Sequence, residues 1–203
     1  MQIVENLYIA FADIPKPSAI EGCPVGCCML REYRLDLVKG HLRETDPELL
    51  WEYINEGLYT VGTDLDFQYF IPKILELCLH DIGPIYSPPS LMEKLEIAGF
   101  NEWSLTKKVA IESAIFEIVH QGVKANFINF DFWLCEICRL DVNIQSFIDL
   151  LDCDYAEASR KYFIRCHYPE SWEGPRMKGA LWDDLPPEKT QIVHNWLVSQ
   201  PPV

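Results

Sequence analysis

Cys23, Cys27 and Cys28 form the most metal-like grouping in the chain. Gly22, Pro24 and Gly26 lie among them and let the backbone turn tightly, so thiolates at this spacing could converge on a zinc ion. Cys135-x2-Cys138 could complete a set of four ligands. That second pair sits in the apolar run FINFDFWLCEICRL, where thiols at i and i+3 ordinarily serve as small core side chains. Glu117-Ile-Val-His120 has the Glu-x-x-His spacing of di-iron helical bundles, in which both side chains leave one helical face. Such a centre needs a second copy, and Glu76-Leu-Cys-Leu-His80 is one residue too long. The plainer expectation is a solvent-side glutamate and a histidine near a helix C-terminus, where the dipole favours its charged form. Asp64-Leu-Asp66 likewise reads as charge at a helix N-terminus rather than a metal-nucleotide acid pair. No Gly-rich phosphate loop, Gly-x-Ser-x-Gly elbow or His-Glu-x-x-His pair occurs. The chain therefore nominates no catalytic residue and no cofactor, and the expectation leans away from an enzyme.

Charge is the other feature that could do work. Seventeen Lys and Arg stand against 31 Asp and Glu, a formal net charge of −14. That balance argues against nucleic acid and against an anionic membrane as partners, and suits a basic protein. The acids are spread, 16 in residues 1–100 and 15 in residues 101–203, so they form an acidic globule and not an acidic tail. Glu44, Glu48, Glu52 and Glu56 recur every four residues, and no Lys or Arg occurs between Arg43 and Lys73. Helical register places at least the last three on one face. Each like-charged pair at this spacing costs a helix about 0.2–0.5 kcal/mol. The stripe, continued by Asp64 and Asp66, is the candidate partner-binding surface, with an ordinary solvated face as its alternative. A second acid-only stretch between Arg139 and Arg160 holds Asp141, Asp149, Asp152, Asp154 and Glu157. Two such stretches on one surface would steer a basic partner and speed its association.

The elements that must position these residues read as helices. Apolar spacing of three and four residues recurs, while two-residue alternation over a useful length is missing. A first helix is expected within residues 2–13 and ends at Pro15 and Pro17; a second runs from about Cys28 to Gly40. Asp46 as N-cap, Pro47 as first helical residue and Glu48 in the first turn predict a helix to about Leu58. Leu49, Leu50, Tyr53, Ile54 and Leu58 make its buried stripe. Residues 64–80 read as a helix that Pro72 should kink or split. Shorter helical runs are expected from about Ser90 to Ala98, at 142–151 and at 155–166. Ser104 should cap a long helix to about Gly122, with Val109, Ile115, Phe116 and Val119 facing inward. Residues 127–140 suggest a central helix. HYPESWEGPRMKGALWDDLPP reads as an irregular strap at about 167–187, before a final helix at EKTQIVHNWLV.

The opening MQIVENLYIAFADIP has no basic n-region and carries Glu5 and Asp13, and no run approaches the ~18 apolar residues of a spanning helix. The expectation is a cytoplasmic protein with neither signal peptide nor membrane anchor. Its eight cysteines are expected as reduced thiols and not as a disulfide framework.

Several segments together resemble a family of bacterial cytoplasmic proteins. TVGTDLDFQYFIPKILEL at 60–77 is similar to the family's Thr, Gly, acidic, Asp-Phe pattern running into a Leu-Pro-Arg-Ile-Leu-Glu-Leu ending. LMEKLEIAGFNEW at 91–103 is a second likeness, and FADIPKPSAIEGCPVGCC at 11–28 resembles its Pro-rich and Cys-rich entry segment. Lys73 stands where the family usually has Arg, and Val25-Gly26 loosens its tight Cys cluster. The resemblance covers roughly residues 11–120. It implies a helical bacterial protein and carries over no activity.

The expectation is thus an all-α chain in one domain, a compact bundle or irregular array of about eight helices. Its expected role is a non-catalytic acidic binding module, of the immunity or antidote kind, against a basic protein. The alternative is a metal or redox protein using the Cys23 to Cys28 loop.

Overall fold

A computed structural model describes residues 2–23, 26, 29–80, 88–126, 129–167, 177 and 180–200. They form eleven α-helices and four 3-10 turns, and no strand occurs among the described residues. The all-α expectation holds. The chain resolves into two compact units, Met1–Ile115 and Phe116–Val203, with the boundary inside one helix.

The first unit contains α1 (Gln2–Ala10), α2 (Arg31–Leu37), α3 (Pro47–Glu56), α4 (Asp64–His80), α5 (Pro88–Ile97) and the start of α6 (Leu105–Lys124). α4 is its central element, contacted by α1 and α3. Phe67, Phe70, Ile71, Ile74 and Leu75 along α4 are completely buried. Pro72 does not split this helix, which runs unbroken from Asp64 to His80. A proline inside a helix costs about 3 kcal/mol, and the apolar burial on both sides of Pro72 is large enough to offset that. Tyr8 on α1 donates to Glu76 on α4 at 2.6 Å, and Lys73 lies 3.2 Å from the same carboxylate. Arg43 stacks on the Tyr8 ring and forms a forked pair with Glu5. Glu76, half of the Glu76/His80 spacing, is therefore already engaged.

The turn from α3 to α4 is tight. Gly62 lies at φ +73°, and a Cβ there would come within 3.0 Å of the Tyr53 hydroxyl, so the position needs glycine on both counts. That hydroxyl is buried with no hydrogen-bond partner among the described residues. Leu58, expected in the buried stripe of α3, instead leaves the helix in the left-handed region at φ 67° and is only half-buried, as is Leu49.

α6 corrects a second expectation. Its buried stripe is Ala110, Ile111, Ala114, Ile115, Ile118 and Val119, while Val109 is 52% exposed and Phe116 half-buried. Val109 lies just outside that stripe, which hydrophobicity without a known neighbour could not reveal.

The second unit holds the remainder of α6, then α7 (Phe130–Ile137), α8 (Ile144–Ile148), α9 (Glu157–His167), α10 (Ala180–Asp183) and α11 (Pro187–Ser199). α7 is the central helix, buried at Phe130, Trp133, Leu134, Cys135, Glu136 and Ile137. α8 and α11 pack together, and α9 and α10 both contact α7. α10 falls inside the expected strap, whose residues 168–176, 178 and 179 lie outside the described ones.

Candidate partner-binding surface

α3 begins as its sequence dictates. The Asp46 carboxylate accepts from the Glu48 amide at 2.8 Å and Pro47 occupies the first helical position. Leu50, Tyr53 and Ile54 are buried, which leaves Glu48, Glu52 and Asn55 exposed on the opposite face. Among the described residues no Lys or Arg forms an ion pair with Glu48 or Glu52. Glu44 stands apart from them in a 3-10 turn, Leu42–Glu44, ahead of α3.

The other candidates divide between the surface and the fold. Glu56 is half-buried, and its carboxylate accepts from the Met29 amide, fastening the end of the Cys-bearing loop to α3. Asp66 closes a reciprocal cap at the start of α4: Thr63 N donates to Asp66 Oδ2 at 2.8 Å, and Asp66 N donates to Thr63 Oγ1 at 3.2 Å. Asp64 is exposed beside it, next to Leu65 at 52% exposure. Glu48, Glu52 and Asp64 thus present their charge outward, while Glu56 and Asp66 use theirs within the chain. The second acid stretch, 141–157, belongs to the second unit. There Asp152 accepts from the Trp196 indole and Glu157 pairs with Lys161.

The C-terminal end of α3 rests on Lys94, a residue that sequence reasoning missed because its partners lie over thirty positions away. Lys94 is fully buried, donates to the Gly57 carbonyl and lies 3.8 Å from the centre of the Tyr59 ring. Tyr59 in turn donates to Glu93. Burial pushes the Lys94 ammonium down to about 8 from its ordinary 10.5, with Glu93 opposing. Below pH ~8 the folded chain holds a charge that the unfolded chain solvates freely. From there to pH ~10.5 the unfolded chain binds the extra proton, so this group's contribution to stability climbs with pH. Lys94→Met removes the effect. Between about pH 7 and about pH 9 the parent should gain roughly 1 kcal/mol relative to that variant in urea titrations, and parallel curves would contradict this.

The cysteine and histidine candidates have ordinary surroundings. Cys23 is half-buried in a turn closed by Gly26 N donating to Cys23 O at 3.0 Å, with Gly26 at φ +70°. Cys27 and Cys28 lie outside the described residues. The Arg34 guanidinium packs over Gly22 and donates to the Met29 carbonyl, which fixes both flanks of that loop. Cys135 and Cys138 are completely buried, and desolvation pushes both thiols up to about 12, away from the thiolate form that metals require. Glu117 and His120 contact one another at 3.4 Å, and the imidazole packs between Phe116 and Tyr155. Among the described residues no three His, Cys, Asp or Glu side chains are grouped to hold a metal ion.

No protein-family model, curated protein or solved structure matches this chain. The chemistry of its own surface is therefore the guide to its role. No helix among the described residues is long and apolar enough to cross a membrane.

Proposed function

We propose that this chain is a non-catalytic protein-binding module of the bacterial cytoplasm, of the immunity or antidote kind, which lays the outer face of α3 against a basic surface on its partner. The observation that supports it is the exposure of Glu48, Glu52 and Asp64 with no described Lys or Arg of the chain in an ion pair with them. The Glu48/Glu52 pair at i and i+4 costs the helix about 0.2–0.5 kcal/mol, which a partner's lysines or arginines would recover. A net charge of −14 steers such a partner from a distance, and the local carboxylates then set the register.

Co-expression with the product of the neighbouring gene tests the idea. A charge-driven partner should co-elute at low salt, dissociate at high salt, and be lost from a Glu48→Lys/Glu52→Lys variant that keeps its helical circular dichroism. Glu56 is left unchanged because its carboxylate holds Met29. Retention of the partner by the double variant would refute the proposal.

A further inference from the structure

We infer that the contact between Glu21 and Gly62 is a latch that opens locally and bares the Cys23 thiol. Among the described residues two buried side-chain polar atoms lack a hydrogen-bond partner, Tyr53 Oη and Arg34 Nε. Both lie under one corner of the first unit, each beneath a glycine. A Cβ on Gly62 would stand 3.0 Å from Tyr53 Oη, and a Cβ on Gly22 would stand 2.8 Å from Arg34 Nε. The Gly62 amide donates to the Glu21 carbonyl at 2.8 Å, so one hydrogen bond joins the two covering segments.

The closed corner carries further cost. Leu58 is held in the left-handed region at φ 67°, where a side chain crowds the backbone, and its amide donates to the Val61 carbonyl at 2.9 Å. Lys94 buries its ammonium against the Gly57 carbonyl. Folded chains seldom leave a buried polar atom without a partner, because it has given up its water for nothing. Two such atoms and a left-handed leucine at one corner mark it as a place where strain is stored.

Opening removes that cost at small expense. Once the Gly62 amide and the Glu21 carbonyl part, water takes up both, residue 62 can lift from the Tyr53 hydroxyl and residue 22 from the Arg34 guanidinium. Both orphaned atoms are then hydrated. The far end of the segment stays in place, since the Met29 amide donates to the Glu56 carboxylate and Arg34 Nη1 donates to the Met29 carbonyl. Ile20 and Met29, both buried, bound the part that moves. Cys23 is half-buried and lies two residues from the end that is released. Local openings of this kind start where compensating contacts are few.

Alkylation of the native protein by iodoacetamide, resolved thiol by thiol by mass spectrometry, tests the latch. Cys78, buried on α4, reports global unfolding, and Cys166, exposed on α9 in the second unit, reports the reagent. In the parent Cys23 should react well ahead of Cys78. Tyr53→Phe keeps the ring against Phe70 and removes only the orphaned hydroxyl, so it favours the closed corner. It should slow Cys23 about tenfold, ~1.4 kcal/mol in the opening equilibrium, and leave Cys166 unchanged. Gly62→Ala should speed Cys23 in a protein that keeps its helical circular dichroism; if that variant does not fold, Tyr53→Phe alone decides. An equal Cys23 rate in the parent and Tyr53→Phe would show that the thiol reacts with the corner closed. A Cys23 rate no faster than that of Cys78 would show that only global unfolding bares it. Either result overturns the inference.

Discussion

Between about pH 9 and about pH 11 the second unit should lose roughly 5 kcal/mol of unfolding free energy, about 1.4 kcal/mol per pH unit for each of two buried thiols. Cys135 and Cys138 are completely buried on and beside α7, and desolvation raises both from the ordinary 9.0 to about 12. Glu136 reinforces the shift at Cys135, while Lys189 opposes it at Cys138. The unfolded chain releases these protons near pH 9 while the folded chain keeps them. Above that pH the unfolded state binds fewer protons, so stability is complete below about 9 and drains away as the pH climbs towards 12. A domain is stable by only about 5–15 kcal/mol, so the loss is a third or more of the whole. Urea titrations at increasing pH should show the midpoint falling steeply, with a much shallower fall in Cys135→Ala/Cys138→Ala. A midpoint that does not move with pH would show that the thiols are not held in a dry core.

Asp131→Ala is expected to destabilise the second unit by about 2–6 kcal/mol, because it takes the carboxylate acceptor from two buried donors at about 1–3 kcal/mol each. Asp131 Oδ1 accepts from His167 Nε2 at 2.7 Å and from the Trp182 indole at 3.1 Å. One carboxylate thus ties α7 to the last residue of α9 and to α10. His167 is buried, edge-on against both Phe163 and Trp182, so water has little access to replace the lost acceptor. Asp131→Asn keeps an acceptor oxygen and should recover much of the loss. The check is chemical denaturation of both variants. A change below about 0.5 kcal/mol in the alanine variant, the level of an ordinary surface substitution, would contradict the account.

What could be read from the chain were its local signals. Asp46-Pro47 and Ser104 mark helix starts, while Gly40 and Gly99, both at positive φ, mark helix ends, because capping acts between residues a few positions apart. Glu48 and Glu52 were legible for the same reason, since helical register alone puts them on one face. What escaped depended on distant neighbours. Pro72 is carried by packing along a whole helix, which local propensity does not contain. Val109 looked like core because an aliphatic residue one position from the buried stripe has the right type and the wrong direction. The engagement of Glu56 with Met29, 27 residues earlier, and the Lys94 contact with Gly57 are equally invisible to spacing.

The boundary inside α6 bears on how the chain folds as it is made. The first unit owns only Leu105–Ile115 of that helix, shorter than the ~12–15 residues a helix needs to hold by itself in water. Nascent chains fold from the N-terminal side, so tertiary burial of Ile111, Ala114 and Ile115 must supply what length does not. Once that segment is fixed, adding Phe116–Lys124 is propagation and not nucleation, which is the inexpensive step of helix formation. Folding of the first unit thus primes the opening helix of the second.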